Sequence, residues 1–534
     1  MVAQIGEAEN GELKVTDDCL IGHWKLELDP ADASGNNHHG NNTGARFDGS
    51  ACWFDGVKGH IEVPSLSSSC VGSGDFTISA WVWTAKGQQD ITGDIASSFD
   101  PHLRKGFNLS IDDRPGLTSS QSNMRNLFFG IDDGLSEPSW RDCGRPGNAI
   151  LVFAMCVWQG SLYVGTFEGG ANERGHVYRY AGESAWIDCG SPDGANSVAS
   201  LAVHQGCLYA GTAHYHASGS SLPDSSNTFP GGKVYRYEGG QSWVDCGRLG
   251  DACEAFALSV FQESLYAIPL YSQGVFRYDG ESHWEEIGRP GNCRAFALGV
   301  FNGSLFTAGN ERAGVWRFDG SQWHDCGLQK DVDQVYSFAV YQGALHAGTW
   351  PKAVVYKYEG GKDWVDRGRL ADELEVMAMA VFNGKLYAGS LPLAQVYRSD
   401  GDREWTAVVR LDWTPDVRYR RVWSMAAYEG KLFAGVLPSG HVHSMESGAC
   451  VTHDSELSAG WNHVAAVKAG NTLSLWVNGV KVSQRHAPRP FDITNDVPLR
   501  IGFGQQDVFN GAIRDFRLYG RALNAREIAN VAPR

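Results

Sequence analysis

A chain of 534 residues is too long for one ordinary hydrophobic core, so two or more domains are expected. The formal net charge of −16 argues against nucleic acid or an anionic membrane surface as the main partner, because both need a basic binding surface. No window approaches the roughly 18 uninterrupted apolar residues of a membrane helix, so we expect no membrane insertion. The 65 glycines favour short strands joined by tight turns.

The N-terminal stretch MVAQIGEAENGELKVTDDC lacks a basic start followed by an apolar core, so no secretory signal is expected within this chain. Two localisations stay open: cytoplasmic, as the sequence is written, or secreted with the leader removed. The 12 cysteines are a modest density, and several recur at one position of the repeats described below. We therefore expect reduced, packed cysteines.

The two ends of the chain carry similar strand patterns. GDFTISAWVW (74–83) and NTLSLWVNGVKV (471–482) alternate apolar and polar residues, as half-buried antiparallel strands do. Neither end alone has enough strands for a closed sandwich. We therefore expect the two ends to fold together, with the middle of the chain inserted at an exposed hairpin.

The middle of the chain repeats a unit of roughly 40 residues, a period typical of β-propeller blades. Each unit has an apolar run, a Gly turn, a segment such as SLYVGT, a variable loop, VYRY or a relative, and a Trp. Four short strands per unit are thus predicted. The Trp residues are Trp140, Trp186, Trp243, Trp284, Trp323, Trp364 and Trp405.

The order of the segments predicts how the ring closes. Seven apolar runs are present, but the segment containing Trp140 precedes the first run, and the seventh unit has no Trp segment. We predict a seven-bladed β-propeller whose last blade is completed by residues 139–144. In the first strand of each blade we expect small residues such as Ala154 and Ser200 at the crowded axis, and large ones such as Phe153 and Phe256 between blades.

The flanking segments contain several motifs in a fixed order: LIGHWKLELDPADASGNNHHG (20–40), WFDGVKGHIEVP (53–64), GWNHVAAVKAGNTLSLWVNGVKV (460–482) and FNGAIRDFRLYGRALNAREI (509–528). They resemble the laminin-G-like, concanavalin-A-like jelly rolls. The resemblance implies a sandwich split into residues 18–134 and 448–534, with the propeller inserted at 135–447. The predicted fold class is all-β, a seven-bladed β-propeller inserted into a concanavalin-A-like jelly-roll sandwich.

The same resemblance implies a structural Ca²⁺ site. In related domains a loop like DASGNNHHG and an aspartate near the chain end commonly hold the ion, which maps the ligands to Asp32, Asn36 and Asp515. Oxygen ligands of this kind suit a hard cation. Arg514 stands where the family often has a second acidic residue, so a turn without an ion is the alternative. No organic cofactor is expected.

The mouth of the propeller is the other candidate site. Loops that enter the innermost strands, and loops between the second and third strands of each blade, gather on one face around the axis. The candidate substrate-binding residues there are Glu254, Arg294, Gln334, Glu375, Asn310, Arg312, Trp350 and Lys352. The candidate catalytic residues are His214, Tyr215, His216, Tyr419 and Arg421.

These residue types favour carbohydrate handling, with a polysaccharide or oligosaccharide as the partner. Cationic side chains would neutralise a uronate carboxylate while a His or Tyr takes the adjacent proton, which is polysaccharide lyase chemistry. Glycoside hydrolysis by Glu254 and Glu375 is an alternative, although these residues are three blades apart. A non-catalytic module that binds glycan or protein through either domain is another. A structural role is a further alternative for the mixed-sign ring, whose charges would pair with one another, for example Glu375 with Arg421 on neighbouring blades. No motif of either enzyme class is present, so catalysis is an analogy from the fold.

Overall fold

The structure is a computed structural model that describes residues 19–87, 90–113, 120–135, 137–170, 172–310 and 314–532. These residues form antiparallel strands almost throughout, and the helix α1 (Ala525–Val531) is their one α-helix. The predicted all-β class is therefore confirmed. Among the described residues, no helix has the length and apolar character needed to cross a bilayer.

Strands from both ends of the chain flank the repeats. Before the repeats come β1 (Leu20–Trp24), β2 (Asn41–Thr43), β3 (Arg46–Phe47), β4 (Cys52–Asp55), β5 (His60–Ser67), β6 (Phe76–Thr84), β7 (Gly93–Asp100), β8 (Lys105–Asp112) and β9 (Asn126–Asp133).

The strands of the repeats begin with β10 (Ser139–Asp142). They continue in groups of four: β11 (Leu151–Trp158), β12 (Ser161–Phe167), β13 (Val177–Tyr180), β14 (Trp186–Asp188); β15 (Ser197–His204), β16 (Cys207–Ala213), β17 (Lys233–Gly239), β18 (Ser242–Arg248); β19 (Ala257–Phe261), β20 (Ser264–Ile268), β21 (Val275–Gly280), β22 (His283–Gly288); β23 (Ala295–Phe301), β24 (Ser304–Gly309), β25 (Val315–Phe318), β26 (Trp323–Asp325); β27 (Gln334–Tyr341), β28 (Ala344–Trp350), β29 (Val354–Gly360), β30 (Asp363–Arg369); β31 (Glu375–Phe382), β32 (Lys385–Leu391), β33 (Gln395–Ser399), β34 (Trp405–Arg410). They end with β35 (Arg421–Tyr428), β36 (Lys431–Leu437) and β37 (Val442–Glu446).

After the repeats come β38 (Ala449–His453), β39 (Gly460–Ala469), β40 (Thr472–Val477), β41 (Val480–His486), β42 (Pro498–Ile501) and β43 (Asn510–Tyr519). Together with β1 to β9 they form two sheets. One has the order β3-β4-β43-β6-β39-β40-β41, with β1 also paired to β43, and the other has the order β2-β5-β42-β7-β8-β9-β38. Each sheet thus combines strands from both ends of the chain.

The two sheets enclose one apolar core that includes Trp24, Phe76, Phe107 and Phe129, all buried. Alternation places these side chains inside, as in β6, whose sequence FTISAWVWT supplies β-branched and aromatic residues. The propeller segment leaves this sandwich between β9 and β38, which are paired neighbours, with Ile131 opposite Ala449. Paired strand ends lie close together, so they can hold an inserted ring without distorting the sheet.

The described strands from β10 to β37 form seven four-stranded antiparallel units, two of which are linked by a single pair, Phe167 with Ser197. The first strand of each unit contacts the first strand of the next, and β35 contacts β11, so the units form a ring. In the last unit the outer strand is β10, with Ser139 opposite Glu446 and Asp142 opposite His443. Residues from the start of the segment therefore complete its last unit.

The repeated Trp and Asp-Cys-Gly link neighbouring blades. The Trp186 indole N–H donates to the Cys143 carbonyl of the preceding outer strand at 2.9 Å, and Trp243 donates to the Cys189 carbonyl at the same distance. The preceding aspartate shapes the turn: Asp142 Oδ1 accepts the Gly144 N–H at 2.8 Å. These residues are packing elements on the periphery of the ring.

The prediction for the axis was wrong. The large residues of the inner strands fill the axis, where the Phe153 ring lies 5.0 Å from the Trp423 ring and 6.3 Å from the Phe256 ring, two blades away. The small residues face the next blade instead: Ser200 Oγ donates to the Ala255 carbonyl at 2.8 Å. A strand period of two separates the two sets but does not say which set faces the axis.

A segment of the sandwich closes the end of the ring axis that faces the sandwich. The chain before β9 hydrogen-bonds to four blades: Ser122 accepts the Val157 N–H through its carbonyl, and its Oγ donates to the Met425 carbonyl at 2.7 Å. Gln121 donates its N–H to the Leu201 carbonyl, and its Oε1 accepts the Val260 N–H. The propeller and the sandwich are therefore joined at the axis as well as through the connecting strands.

Candidate functional site

Two segments dominate the open face of the ring, opposite the sandwich. Residues 213–232, here called the histidine loop, connect β16 to β17 in the second blade. Residues 410–421, the arginine loop, lead from β34 into β35 between the sixth and seventh blades. They meet across the mouth, since Arg421 Nη2 donates to the Gly219 carbonyl at 3.4 Å.

The histidine loop places Tyr215 in the axis. The tyrosine is 5% exposed, and its ring lies 4.8 Å from the Phe153 ring and 5.2 Å from the Phe167 ring. Its hydroxyl shares a hydrogen bond of 2.5 Å with Ser220 Oγ. The rings of Phe153, Phe256, Trp423 and Tyr215 along the axis are here called the aromatic column. Tyr215 closes the end of this column at the mouth and lies below the surface that a polymer would touch.

Glu375 and Arg421 lie beside this column and are also buried, with exposures of 1% and 6%. Burial raises the pKa of Glu375 to about 8, although Arg421 and a hydrogen bond from Tyr336 act in the opposite direction. Glu375 Oε1 and Arg421 Nε have no hydrogen-bond partner among the described residues. The predicted ion pair between Glu375 and Arg421 is not formed among the described residues: the Arg421 charge favours the ionised carboxyl, but burial of Glu375 outweighs it. Both side chains are sealed from solvent.

The two histidines lie nearer the surface. The His214 and His216 rings are 5.0 Å apart, and the His216 ring is 5.1 Å from the Tyr271 ring. Burial and the neighbouring His216 lower the pKa of His214, so its imidazole is neutral near pH 7. Glu254 holds Tyr271 in place, because its Oε2 accepts the Tyr271 N–H at 3.2 Å. Burial raises the pKa of Glu254.

The arginine loop carries the most exposed aromatic side chain of the mouth. Trp413 is 71% exposed, and the Arg410 guanidinium carbon lies 4.0 Å from its ring centroid. The Arg418 guanidinium lies 4.7 Å from the Tyr419 ring. The segment RLDWTPDVRYRR has four arginines and two aspartates. Arg421 and Asp412 are buried, which leaves three arginines against one aspartate at the surface of a chain of net charge −16, so this part of the surface is locally basic.

Hydrogen bonds hold the arginine loop in place. Asp412 is buried, and its carboxylate accepts the Thr414 N–H at 2.8 Å and the Ser439 N–H at 2.9 Å. Arg420 Nε donates to the Thr414 carbonyl at 2.8 Å. The exposed side chains therefore stand on an ordered backbone.

The remaining predicted residues are spread around the mouth. Asn310 is buried and donates its N–H to the Arg294 carbonyl at 2.7 Å. Gln334 and Trp350 lie opposite each other in the fifth blade, both half-buried, and the neighbouring Lys352 pairs with Asp331 at 2.7 Å. Arg312 lies outside the described residues.

The residues predicted to bind Ca²⁺ are engaged by the protein itself. The Asp32 carboxylate accepts the N–H groups of His23, Ser34 and His38 and the Ser34 hydroxyl. Asp515 Oδ1 contacts His23 Nε2 at 2.7 Å and the Arg517 guanidinium at 2.9 Å.

Asn36 donates its amide N–H groups to the carbonyls of Leu20 and Ile21. No group of three or more acidic, His or Cys side chains in the described residues is arranged to hold a metal. As arranged, the set does not fit a calcium ion, because the lone pairs of Asp32 are used and a cation already neutralises Asp515.

The sequence reasoning missed Trp413 and Arg410. Both belong to a loop outside the repeat, so neither stands among the polar residues that recur beside the inner strands. The sequence signal for Trp413 and Arg410 is compositional: a tryptophan lies within a short arginine-rich segment of an acidic chain.

Comparisons with known proteins bear on the fold. The family model of the concanavalin A-like lectin/glucanases superfamily, Laminin_G_3, matches residues 399–529. Within that match, β38 to β43 belong to the sandwich, and the earlier strands belong to the propeller. A search of curated proteins found no significant match.

Several solved structures are similar. A catalytically inactive virginiamycin B lyase from Staphylococcus aureus, solved with quinupristin, is 8% identical over 58% of this chain and 99% of its own, with a TM-score of 0.43. The WD40 β-propeller domain of Doa1 is 12% identical over 58% of this chain and 97% of its own, with a TM-score of 0.41. A structural genomics protein from Bacteroides thetaiotaomicron is 10% identical over 73% of this chain and 93% of its own, with a TM-score of 0.35.

At TM-scores below 0.5 these similarities carry no conclusion about this chain. The chain combines a concanavalin A-like domain with a β-propeller.

Proposed function

We propose that the protein binds an acidic, uronate-containing polysaccharide on the arginine loop, with Trp413 as the surface on which a sugar ring stacks. The observation that carries this proposal is the 71% exposure of Trp413 beside the Arg410 guanidinium, 4.0 Å from its ring centroid. A large exposed aromatic side chain is costly in water, and exposed apolar surface with a polar rim marks interaction sites.

The chemistry of the loop matches that ligand. The indole face offers an apolar surface to the C–H face of a pyranose, and guanidinium groups pair with carboxylates through two parallel hydrogen bonds. Arg418 is exposed and available for such a pair. The bonds from Asp412 and Arg420 fix the loop before binding, which lowers the entropy lost on association.

Binding to polygalacturonate and alginate, followed by calorimetry or affinity electrophoresis, tests the proposal. Trp413→Ala is expected to weaken binding by at least tenfold, which is about 1.4 kcal/mol. Ile187→Ala is the matched control, because Ile187 is 44% exposed on the outer strand of the first blade, away from the mouth. Equal affinities of the three proteins would contradict the proposal.

The charge of the ligand is tested separately. Affinity for the uronate polymers is expected to fall with rising salt, and Arg418→Gln is expected to flatten that dependence. A neutral polymer such as dextran is the matched ligand control. Equally strong, salt-independent binding of dextran would contradict the acidic ligand class.

Lyase-type cleavage is the second candidate. It is supported by three side chains that lie together: His214, which is neutral, His216, which is exposed, and Tyr271, which is half-buried. Gly219 connects them to Arg421, because it donates its N–H to the His216 carbonyl and accepts from the Arg421 guanidinium. Cleavage by β-elimination creates a double bond that absorbs near 235 nm, so the same polymers are monitored at that wavelength. A signal that His216→Ala abolishes supports cleavage, and binding without any signal supports a non-catalytic module.

A further inference from the structure

A cleft with a volume of about 540 Å³ lies where the sandwich meets the propeller. It is on the side of the ring opposite the arginine loop, at the turns between the first and second strands of the second and third blades. Cavities at domain junctions are frequent ligand sites, and this volume is in the range of small-molecule pockets. Its charged and polar walls come from both domains: Lys86, Arg125 and Glu456 from the sandwich, and His204 and Glu263 from the propeller.

Arg125 is a rigid donor in the wall of this cleft. Its side chain is 2% exposed, Nη1 donates to the Ala85 carbonyl at 2.6 Å, and Nη2 donates to Thr84 Oγ1. Nε has no hydrogen-bond partner among the described residues. A buried guanidinium N–H without a partner is costly, so Arg125 is an unusual polar group in this wall of the cleft.

Glu263 departs from the repeat at this point. Six blades have a glycine at the second position of this turn, with a positive φ, whereas the third blade has Glu263 at φ 62°. Side chains other than glycine adopt this conformation rarely. The Glu263 side chain packs against Gly87 of the sandwich, where a Cβ would lie 2.7 Å from Glu263 Cγ and Oε1. Glu263 thus stands where the other blades have a glycine, and its side chain lines the cleft beside Gly87.

We infer that this cleft binds a neutral sugar of one or two rings. Lys86 and Arg125 are balanced by Glu263 and Glu456, so neither an anion nor a cation gains from the net charge of the walls. Donors and acceptors are both present, as the hydroxyl groups of a sugar require. Met124 and Val260 supply an apolar surface for its C–H face.

His204 adds a neutral hydrogen-bonding group to the cleft. Its side chain is 6% exposed, and burial lowers its pKa to about 4, so the imidazole is neutral near pH 7 and offers one donor and one acceptor. The site differs in chemistry and in position from the arginine loop. Its occupation does not depend on the function proposed for that loop.

Titration calorimetry with glucose, galactose, mannose, cellobiose and lactose, and with galacturonate for comparison, tests the inference. At least one neutral sugar is expected to bind more tightly than galacturonate. Ala459→Trp, which places an indole at an exposed position of the cleft wall, is expected to weaken that binding by at least tenfold. Ala185→Trp, at an exposed turn of the first blade, is the matched control.

Glu263→Gly gives a second test that does not depend on blocking the cleft. Restoring the glycine of the repeat is expected to raise the melting temperature while weakening sugar binding, and Trp413→Ala is expected to leave that binding unchanged. Failure of every neutral sugar to bind, preference for galacturonate, or binding that survives Ala459→Trp would overturn the inference.

Discussion

Lys385 of the sixth blade and Asp132 of the sandwich form an ion pair whose side chains are only 3% and 1% exposed. Lys385 Nζ also donates to Ser447 Oγ at 2.8 Å, and the Tyr387 hydroxyl donates to the same oxygen at 3.0 Å. The pair therefore belongs to a satisfied polar network between the two domains. Such networks specify how two surfaces meet, because each partner is costly to bury alone.

Removing one partner of this pair is expected to destabilise the protein strongly. Lys385→Met leaves the Asp132 carboxylate buried without its cation, which lowers the free energy of unfolding by about 3–5 kcal/mol. Urea unfolding measures this loss. The double variant Lys385→Met with Asp132→Asn is expected to recover most of it. Equal stability of the single and double variants would show that the charge of Asp132 is not the cause.

The aromatic column predicts a second large effect. Phe153→Ala removes a fully buried ring that contacts Tyr215, Phe256 and Trp423, so the free energy of unfolding should fall by about 3–5 kcal/mol. Ile187→Ala, at an exposed site, should change it by less than about 0.5 kcal/mol. A loss for Phe153→Ala no larger than that of the control would mean that the column does not hold the ring together.

The repeat predicted the closure of the ring well, because closure depends on counting segments in order. The Trp140 segment has no apolar run before it, and the structure pairs this segment with β37. The axis could not be assigned in the same way. Phe153 and Ala154 alternate along one strand, and only the packing of the whole ring decides which of the two sets of residues faces inward.

The candidate site was predicted in part. The sequence predicted Tyr215, Glu375 and Arg421 as candidate residues of the mouth, and the structure places all three beside the axis. Their burial depends on a loop from the second blade that reaches Arg421 in the seventh, a long-range contact that no local pattern encodes. The exposure of Trp413 is likewise set by the folding of an irregular loop.

Buried carboxyl groups predict a fall in stability above pH 6.5. Burial raises the pKa values of Asp94 and Glu375 to about 8 and that of Asp90 to about 7. Because the folded pKa exceeds the unfolded one, the folded state loses stability as pH rises through the folded value. Below pH 6.5 buried histidines such as His204 act in the opposite direction, since the unfolded state takes up their protons.

Urea unfolding at pH 6.5, 7.2 and 8 checks this prediction, and the free energy of unfolding is expected to decline across the series. Asp94→Asn should flatten the decline, because an amide oxygen can still accept the N–H groups of Gln506 and Asp507 that Asp94 Oδ2 accepts at 2.7 and 3.0 Å. Stability that rises toward pH 8, or an unchanged slope in the variant, would contradict the assignment.

The hydrogen bonds around Asp32 and Asp515 predict that calcium has no effect on stability. The melting temperature should be the same in excess EDTA and in millimolar Ca²⁺, because Asp32 already accepts four hydrogen bonds and Arg517 pairs with Asp515. Asp515→Asn should likewise melt identically in both buffers. A melting temperature that rises with Ca²⁺ in the original protein but not in Asp515→Asn would restore the calcium site.

The recurring cysteines should be unreactive in the folded protein. Cys189 and Cys246 are buried, each Sγ lies within 3.7 Å of the carbonyl oxygen two residues earlier, and burial raises the pKa of both thiols. Cys253 is exposed and is expected to react first. Brief alkylation followed by peptide mass spectrometry should label Cys253 well before Cys189 and Cys246, and urea should remove the difference, because thiolate access controls the rate. Equal labelling in the native state would mean that the outer strands open readily, and a Cys189 to Cys246 disulfide would contradict their positions on different blades.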